Sequence, residues 1–284
     1  MGQYLQNMRN RMVSENLAKS TIEGYVYGAR QLAIYSKKSF TEIEPEDIYA
    51  FLVYLREVRG LSRDTMRISA CGIRYFYKHL LNRNDIVEGI PYPKKEKYLP
   101  EILNSKELYK LFNLTTNIKH RVFLKLVYSA GLRRGEACNI LLSDIDSKNY
   151  QVHIRQGKGK KDRYVPLSHH VLQEARLYVK QEKPEHYLFN GRISGKAISQ
   201  ESTAWIMDKA VERAGITKKV SLHTLRHSFA SHLLSMGVNL LIIQKLLGHE
   251  DIRTTMVYLH ISSLYQKSFT NPLDKLFPGK TEKH

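Results

Sequence analysis

The chain has 284 residues, 42% hydrophobic and 25% charged, which suits a globular protein with room for two cores. Its formal net charge of +18 sets it apart, because so large an excess repels itself unless a polyanion neutralises it. No apolar run approaches the ~20 residues that span a bilayer, and two cysteines, Cys71 and Cys138, cannot build a disulfide framework or a cysteine-rich zinc site. Nucleic acid is therefore the leading partner. The N-terminus has no signal-peptide core, and Gln6 stands where a myristoylation signal needs Ser or Thr. A cytoplasmic protein with reduced thiols is expected.

The first part reads as helices. Residues 3–16 form one, and "STIEGYVYGARQLAIYSKK" suggests another, opened by a capping box of Ser20 and Glu23. In it Ile22, Tyr25, Val26, Ala29, Leu32 and Ala33 recur at helical spacing. "EPEDIYAFLVYLREVRG" has Pro45 in a first turn and Gly60 past the end. "SRDTMRISACGIRYFYKHLL" adds an amphipathic helix, for about four before residue 85. The texture then changes. Residues 88–100, "EGIPYPKKEKYLP", hold three prolines and three lysines, the composition of a linker that would also suit a strap across phosphates. The expected division is a helical domain over 1–87, a linker over 88–100 and a second domain over 101–284, with a tail at 268–284.

Beyond residue 100 the pattern is mixed. "SKELYKLFNL" and "KHRVFLKLVYSAGL" read as helices, and "YQVHIRQ" and "DRYVPL" as two strands around "GKGKK". Helices follow near 168–182, 200–214, 223–236, 239–247 and 252–260. The fold class is mainly α with a small antiparallel β-sheet. The polar, proline-broken tail carries a short apolar turn at Leu273, Leu276 and Phe277, suited to docking on this chain or a neighbour.

Four stretches could carry chemistry. "HTLRHSFASHLL" begins at residue 223 with three histidines and an arginine. A metal site is disfavoured: H-E-x-x-H is absent, no carboxylate lies in the stretch, and Arg226 sits between His223 and His227. His223 and Arg226, three apart at a helix start, instead suit a phosphate. Leu225, Phe229 and Leu233 form the buried stripe, and His227 and His232 are assigned to packing. "SAGLRRGEACNILLSDID" presents Arg133 and Arg134 from a glycine-flanked corner, with Glu136 placed to brace one of them. "RQGKGKKDRYVP" reads as a hairpin whose tip offers Lys158, Lys160 or Lys161, and charge alone does not choose among them. In "LLGHEDIRTTMVYLH" a helix ends at Gly248, His249 follows, and Tyr258 lies near the end of the next helix. Spacing alone does not single out that tyrosine among eighteen.

Taken together and in this order, the motifs "AGLRRGE", "GKGKKDRYVPL", "HTLRHSFASHLL" and "LLGHEDIRTTMVYLH" resemble the tyrosine recombinase (phage integrase) family, Xer-type or integron-like. The resemblance extends over nearly the whole chain, since the N-terminal helices look like the family's core-binding domain. It implies a catalytic set of Arg133, Lys158, His223, Arg226, His249 and Tyr258, with Glu136 in support and Tyr258 as nucleophile. Gly135 departs mildly from the family's common Ser. The implied activity is site-specific recombination through a 3′-phosphotyrosine, with neither metal nor ATP. The implied partners are double-stranded DNA, a homo-tetramer on paired sites, and an accessory DNA-bending protein or partner recombinase. Two other readings fit parts of the pattern: a DNA-binding regulator that never cuts, and a type IB topoisomerase with the same chemistry.

Overall fold

The computed structural model describes residues 1–90, 99–155, 162–193 and 195–260. The chain divides into two compact units, Met1–Lys97 and Tyr98–His284. Among the described residues no helix is long and apolar enough to cross a membrane.

The first unit is helical: α1 Gly2–Ser14, α2 Lys19–Ser36, α3 Pro45–Glu57, α4 Arg63–His79 and a single turn, α5 Asp85–Glu88. Local chemistry sets its boundaries. Pro45 opens α3, where its missing N–H costs nothing, and Asp47 accepts from the backbone N–H of Glu44 at 3.0 Å. Ser62 caps α4 by accepting from the Thr65 N–H at 3.3 Å. The capping box expected at Ser20 is not formed. Helix α2 starts two residues earlier, with Ala18 as its N-cap, and the Ala18 carbonyl takes the N–H groups of Thr21 and Ile22. Ser20 thus lies inside the first turn rather than before it.

The apolar stripes of these helices meet in one core that includes Met8, Val26, Leu32, Phe51, Ile73 and Phe76. Helices α2 and α4 approach most closely at two glycines. A Cβ on Gly28 would lie 2.7 Å from the Ser69 Cα, and one on Gly72 would lie 2.5 Å from the Tyr25 carbonyl oxygen. Backbone atoms fill the space a side chain would need. The expected linker begins later than residue 88, because Glu88 ends α5 and Ile90 is buried in this core. Its remainder, 91–98, lies outside the described residues.

The second unit carries α6 Ser105–Asn113, α7 Ile118–Ser129 and α8 Arg134–Cys138. A three-stranded antiparallel sheet follows, of β1 Ile145–Asp146, β2 Gln151–Ile154 and β3 Arg163–Pro166, in that order. Then come α9 His169–Glu182, α10 Gln200–Ala214, α11 Leu222–Ser235, α12 Leu240–Leu247, α13 Ile252–Met256 and a 3-10 turn over Val257–His260. Strands β2 and β3 pair Val152 with Val165, and Val152, Ile154 and Val165 point into the core while their neighbours face out. Strand β1 was not legible in the sequence: two residues are too short for an alternating pattern to register.

Helix α7 is central to the main core, with Val122, Phe123, Leu124, Leu126 and Val127 all buried. A smaller cluster of Ala230, Ile243, Leu247 and Tyr258, flanked by Phe229 and Leu233, joins α11, α12 and the 3-10 turn. Of the expected stripe on α11, Leu225 is fully buried, whereas Phe229 and Leu233 are half-buried against this cluster.

Gly72→Ala tests the close approach of α2 and α4. Alanine is the better helix former, yet overpacking should dominate and cost about 1–3 kcal/mol. Chemical denaturation of the variant should show that loss, and a stabilised variant would mean the helices can move apart freely.

Candidate active site

The second unit gathers Arg133, Glu136, Arg226, His249 and Tyr258 around the end of α12. Gly131 closes α7 with φ +58°, a left-handed conformation, and a Cβ there would lie 2.6 Å from the Phe229 ring. The turn throws Arg133 to the N-cap of α8. Its backbone N–H donates to Glu136 Oε2 at 2.8 Å and its Nη1 to Glu136 Oε1 at 2.8 Å. Its Nη2 donates to the Gly248 carbonyl at 2.8 Å.

Arg226 comes from the first turns of α11 and is only 3% exposed. Nη1 donates to the Gly131 carbonyl and Nη2 to the Leu247 carbonyl, each at 2.6 Å, and Nη1 lies 3.9 Å from Glu136 Oε2. Burial and the neighbouring Arg133 charge lower its pKa to about 10, so it stays a cation at neutral pH. Burial alone would raise the Glu136 pKa. The hydrogen bonds and charge of Arg163, together with those from Arg133, outweigh it and hold the carboxyl down at about 2.

Tyr258 sits in the 3-10 turn and is 1% exposed. Its hydroxyl lies 2.9 Å from His227 Nδ1. Burial raises its pKa, against the pull of Arg226 and Arg133. His249 follows the left-handed C-cap Gly248 (φ +62°), and its Nδ1 is 2.9 Å from Thr255 Oγ1. Burial and the surrounding arginines lower its pKa to about 3. His223 is exposed at the start of α11. Partial desolvation, then Arg226, Arg134 and Arg133, lower its pKa as well.

Lys158, like Lys160 and Lys161, falls in 156–161, outside the described residues. The remaining six expected residues share one neighbourhood, but not one environment: His223 faces out while Arg226 is buried. One residue was misread. His227, assigned to packing, holds the Tyr258 hydroxyl, and burial with the charges of His223 and Arg226 lowers its pKa to about 4. Its spacing from His223 placed both on one helix face, but nothing in the sequence said which faces the tyrosine. His232 is partly buried and packs on Tyr128, as expected, with Nδ1 2.9 Å from the Tyr128 hydroxyl. Arg163 was overlooked: it grips Glu136 with both Nη atoms, at 2.9 and 2.8 Å. Its only signal was its place at the start of a strand beside a lysine-rich turn. Among the described residues no group of three His, Cys, Asp or Glu side chains converges as metal ligands.

Fixed arginine forks lie beside a buried phenol, on a helical unit with a three-stranded sheet. The sequence pattern of the phage integrase family matches residues 101–264, and that of the phage integrase N-terminal SAM-like domain matches residues 4–85. A tyrosine recombinase of Thermosipho africanus is 33% identical over 272 residues, covering 91% of this chain and 93% of the relative. Tyrosine recombinase XerC of Bacillus subtilis is 31% identical over 283 residues, covering 92% and 90%. The fold is shared with lambda integrase, solved as a tetramer bound to a Holliday junction, at a TM-score of 0.71 and 16% identity over 88% of this chain and 77% of that one. The chain belongs to the phage integrase family of tyrosine-type site-specific recombinases.

The two most strongly depressed histidines give the fold a pH signature. His227 and His249 are neutral in the folded protein, whereas in the unfolded chain they take up protons below about pH 6.5. Their contribution is therefore complete above pH 6.5 and is lost as pH falls toward the folded values near 4 and 3. Urea unfolding should show less stability at pH 5 than at pH 7, and His227→Asn should narrow that gap. An unchanged gap in the variant would remove His227 from the account.

Proposed function

We propose that Tyr258 cuts DNA by transesterification. Its phenolic oxygen bonds to a backbone phosphorus, and the bond from that phosphorus to the 5′-oxygen breaks. A 3′-phosphotyrosine and a 5′-hydroxyl result. The phosphodiester energy is conserved in that linkage, so the hydroxyl of another strand can reverse the step and reseal the backbone.

The observation that carries this reading is the convergence of Arg133 and Arg226 beside the buried Tyr258 hydroxyl. Charge builds on the non-bridging oxygens of the transition state, and fixed guanidinium donors stabilise it where water is excluded. His249 joins them: with Nδ1 engaged by Thr255, its Nε2 is the ring nitrogen left to donate. His227 orients the phenol but, near pKa 4, is too weak a base to keep its proton. That proton passes to His223, one helical turn away. Lys158 delivers a proton to the departing 5′-oxygen, a contribution of about 10²–10⁴-fold for such a group.

Duplex DNA is the substrate, bound by both units. The net charge of +18 supports this, since counterion release then drives binding. Exchange requires two sites, and a homo-tetramer joining them, as in the lambda integrase structure, fits that demand. The apolar residues Leu273, Leu276 and Phe277, which lie outside the described residues, are the candidate contact between protomers. An accessory DNA-bending protein or partner recombinase, and action in the cytoplasm, belong to the same reading. Relatives that are recombinases leave a non-cutting regulator without support.

Covalent capture tests the chemistry. Incubated in EDTA with fragmented, nicked DNA of the host, the wild type should form a denaturant-resistant adduct, and Tyr258→Phe should form none. An adduct in the variant would name another nucleophile. Arg226→Lys should slow adduct formation by about 10²-fold or more, since a lysine cannot reproduce the planar fork. Removing residues 268–284 should impair recombination more than DNA binding, read by strand exchange and gel shift; full exchange would release the tail from an assembly role.

A further inference from the structure

Helix α12 ends in three carbonyl groups that have no partner within the helix. Three different arginines take them in succession. Arg163 Nε donates to the Leu246 carbonyl at 3.0 Å, Arg226 Nη2 to Leu247 at 2.6 Å, and Arg133 Nη2 to Gly248 at 2.8 Å. The negative end of a helix dipole favours cations there. The same three guanidinium groups surround the Glu136 carboxylate: Arg133 and Arg163 by hydrogen bonds, Arg226 at 3.9 Å.

Arg163 differs from the other two in how its donors are spent. Each of its three nitrogens donates to a fixed protein acceptor, and its side chain is 11% exposed. Its stem also lies against the helix cap, where a Cβ on Gly248 would come within 3.2 Å of Arg163 Cδ. It has no fork left for a phosphate. Through Glu136 it fixes Arg133, and through Leu246 it fixes the turn that carries Gly248 and His249.

We infer that Arg163 is a positioning residue for strand cleavage: clamped to both Glu136 and the end of α12, it holds Arg133 and Arg226 aimed at the scissile phosphate. The inference rests on the transesterification reading above. Without Arg163, the Glu136 carboxylate keeps only the other two arginines and draws them inward, away from an incoming phosphate.

The test compares two substrates: nicked duplexes of random sequence with an ordinary phosphodiester at the nick-proximal linkage, and the same duplexes with a methylphosphonate there. The methylphosphonate lacks one non-bridging charge, so it depends less on the arginines. Arg163→Met should form the covalent adduct about 100-fold more slowly than wild type on the diester, the cost of misplacing a reacting group by about an ångström. On the methylphosphonate, with rates again relative to wild type, that deficit should shrink by at least about tenfold. Arg163→Lys should show the same pattern more weakly, because it keeps the charge but not the fork, and it carries the test if the Met variant does not fold. The salt dependence of DNA binding should be unchanged in both, since no phosphate contact is lost. Equal deficits on the two substrates would mean general structural damage and overturn the inference, as would a full rate on the diester. No adduct from the wild type on either substrate would refute the transesterification reading itself; normal wild-type adducts with unaffected Arg163 variants would refute only the role of Arg163.

Discussion

The site depends on one buried carboxylate. Glu136 stands among Arg133, Arg163 and Arg226 and is almost wholly shielded from water. Three guanidinium groups so close would repel one another strongly in a poorly solvated interior. One carboxylate relieves that repulsion without consuming it: three cations and one anion leave the cluster net positive. A bound phosphodiester, with its single negative charge, cancels part of that excess. Electrostatics alone therefore bias the cluster toward an anion, and Glu136 makes it stable enough to exist before one arrives. Burial argues the same way, because a carboxylate removed from water is costly unless every lone pair is used. Glu136 accepts from the Arg133 N–H, from Arg133 Nη1 and from both Nη atoms of Arg163.

The chemical groups of the site are held by neutral contacts. The Tyr258 hydroxyl meets a histidine whose basicity burial has removed, so the phenol, its own pKa raised, keeps its proton. Arg226 spends both Nη atoms on the carbonyls of Gly131 and Leu247. These oxygens carry partial charge only. A phosphate carrying a full charge competes for the same donors on better terms, since charge-assisted hydrogen bonds are roughly twice as strong as neutral ones. The arrangement keeps the arginines ordered in advance, with little reorganisation left for the reaction.

Much of this was legible in the sequence, for identifiable reasons. Amphipathic periodicity marked the helices, and Pro45 marked the start of α3. Gly131 and Gly248 were visible as helix ends, and both take left-handed conformations that other residues adopt poorly. Arg133, His223, Arg226, His249 and Tyr258 lie in motifs whose resemblance to the phage integrase family, rather than spacing alone, marked them. What stayed hidden depends on rotation about a helix axis or on pairing across long separations. His227 and His223 are one turn apart, and only the packing of the 3-10 turn selects His227 as the partner of Tyr258. Arg163 reaches Glu136 across 27 residues and Leu246 across 83. No local pattern encodes either contact. The start of α2 was misplaced because backbone carbonyls, not the Ser20 side chain, satisfy its first N–H groups.

Hydrogen bonds between the arginines and the end of α12 also explain how segments distant in sequence make one site. Arg133 precedes Gly248 by 115 residues and Arg226 precedes Leu247 by 21, yet both close on the same helix end. A helix C-terminus offers several parallel acceptors at fixed spacing, so each arginine has its own oxygen and none must share. Their order along the helix end, Arg163, Arg226, Arg133, sets the order in which their forks are presented. His249 and Tyr258 leave from that same end through the short α13 and its 3-10 turn. Acceptor, donors and nucleophile are thus referenced to a single rigid element. An error in placing α12 would displace all of them together and leave their mutual geometry largely intact.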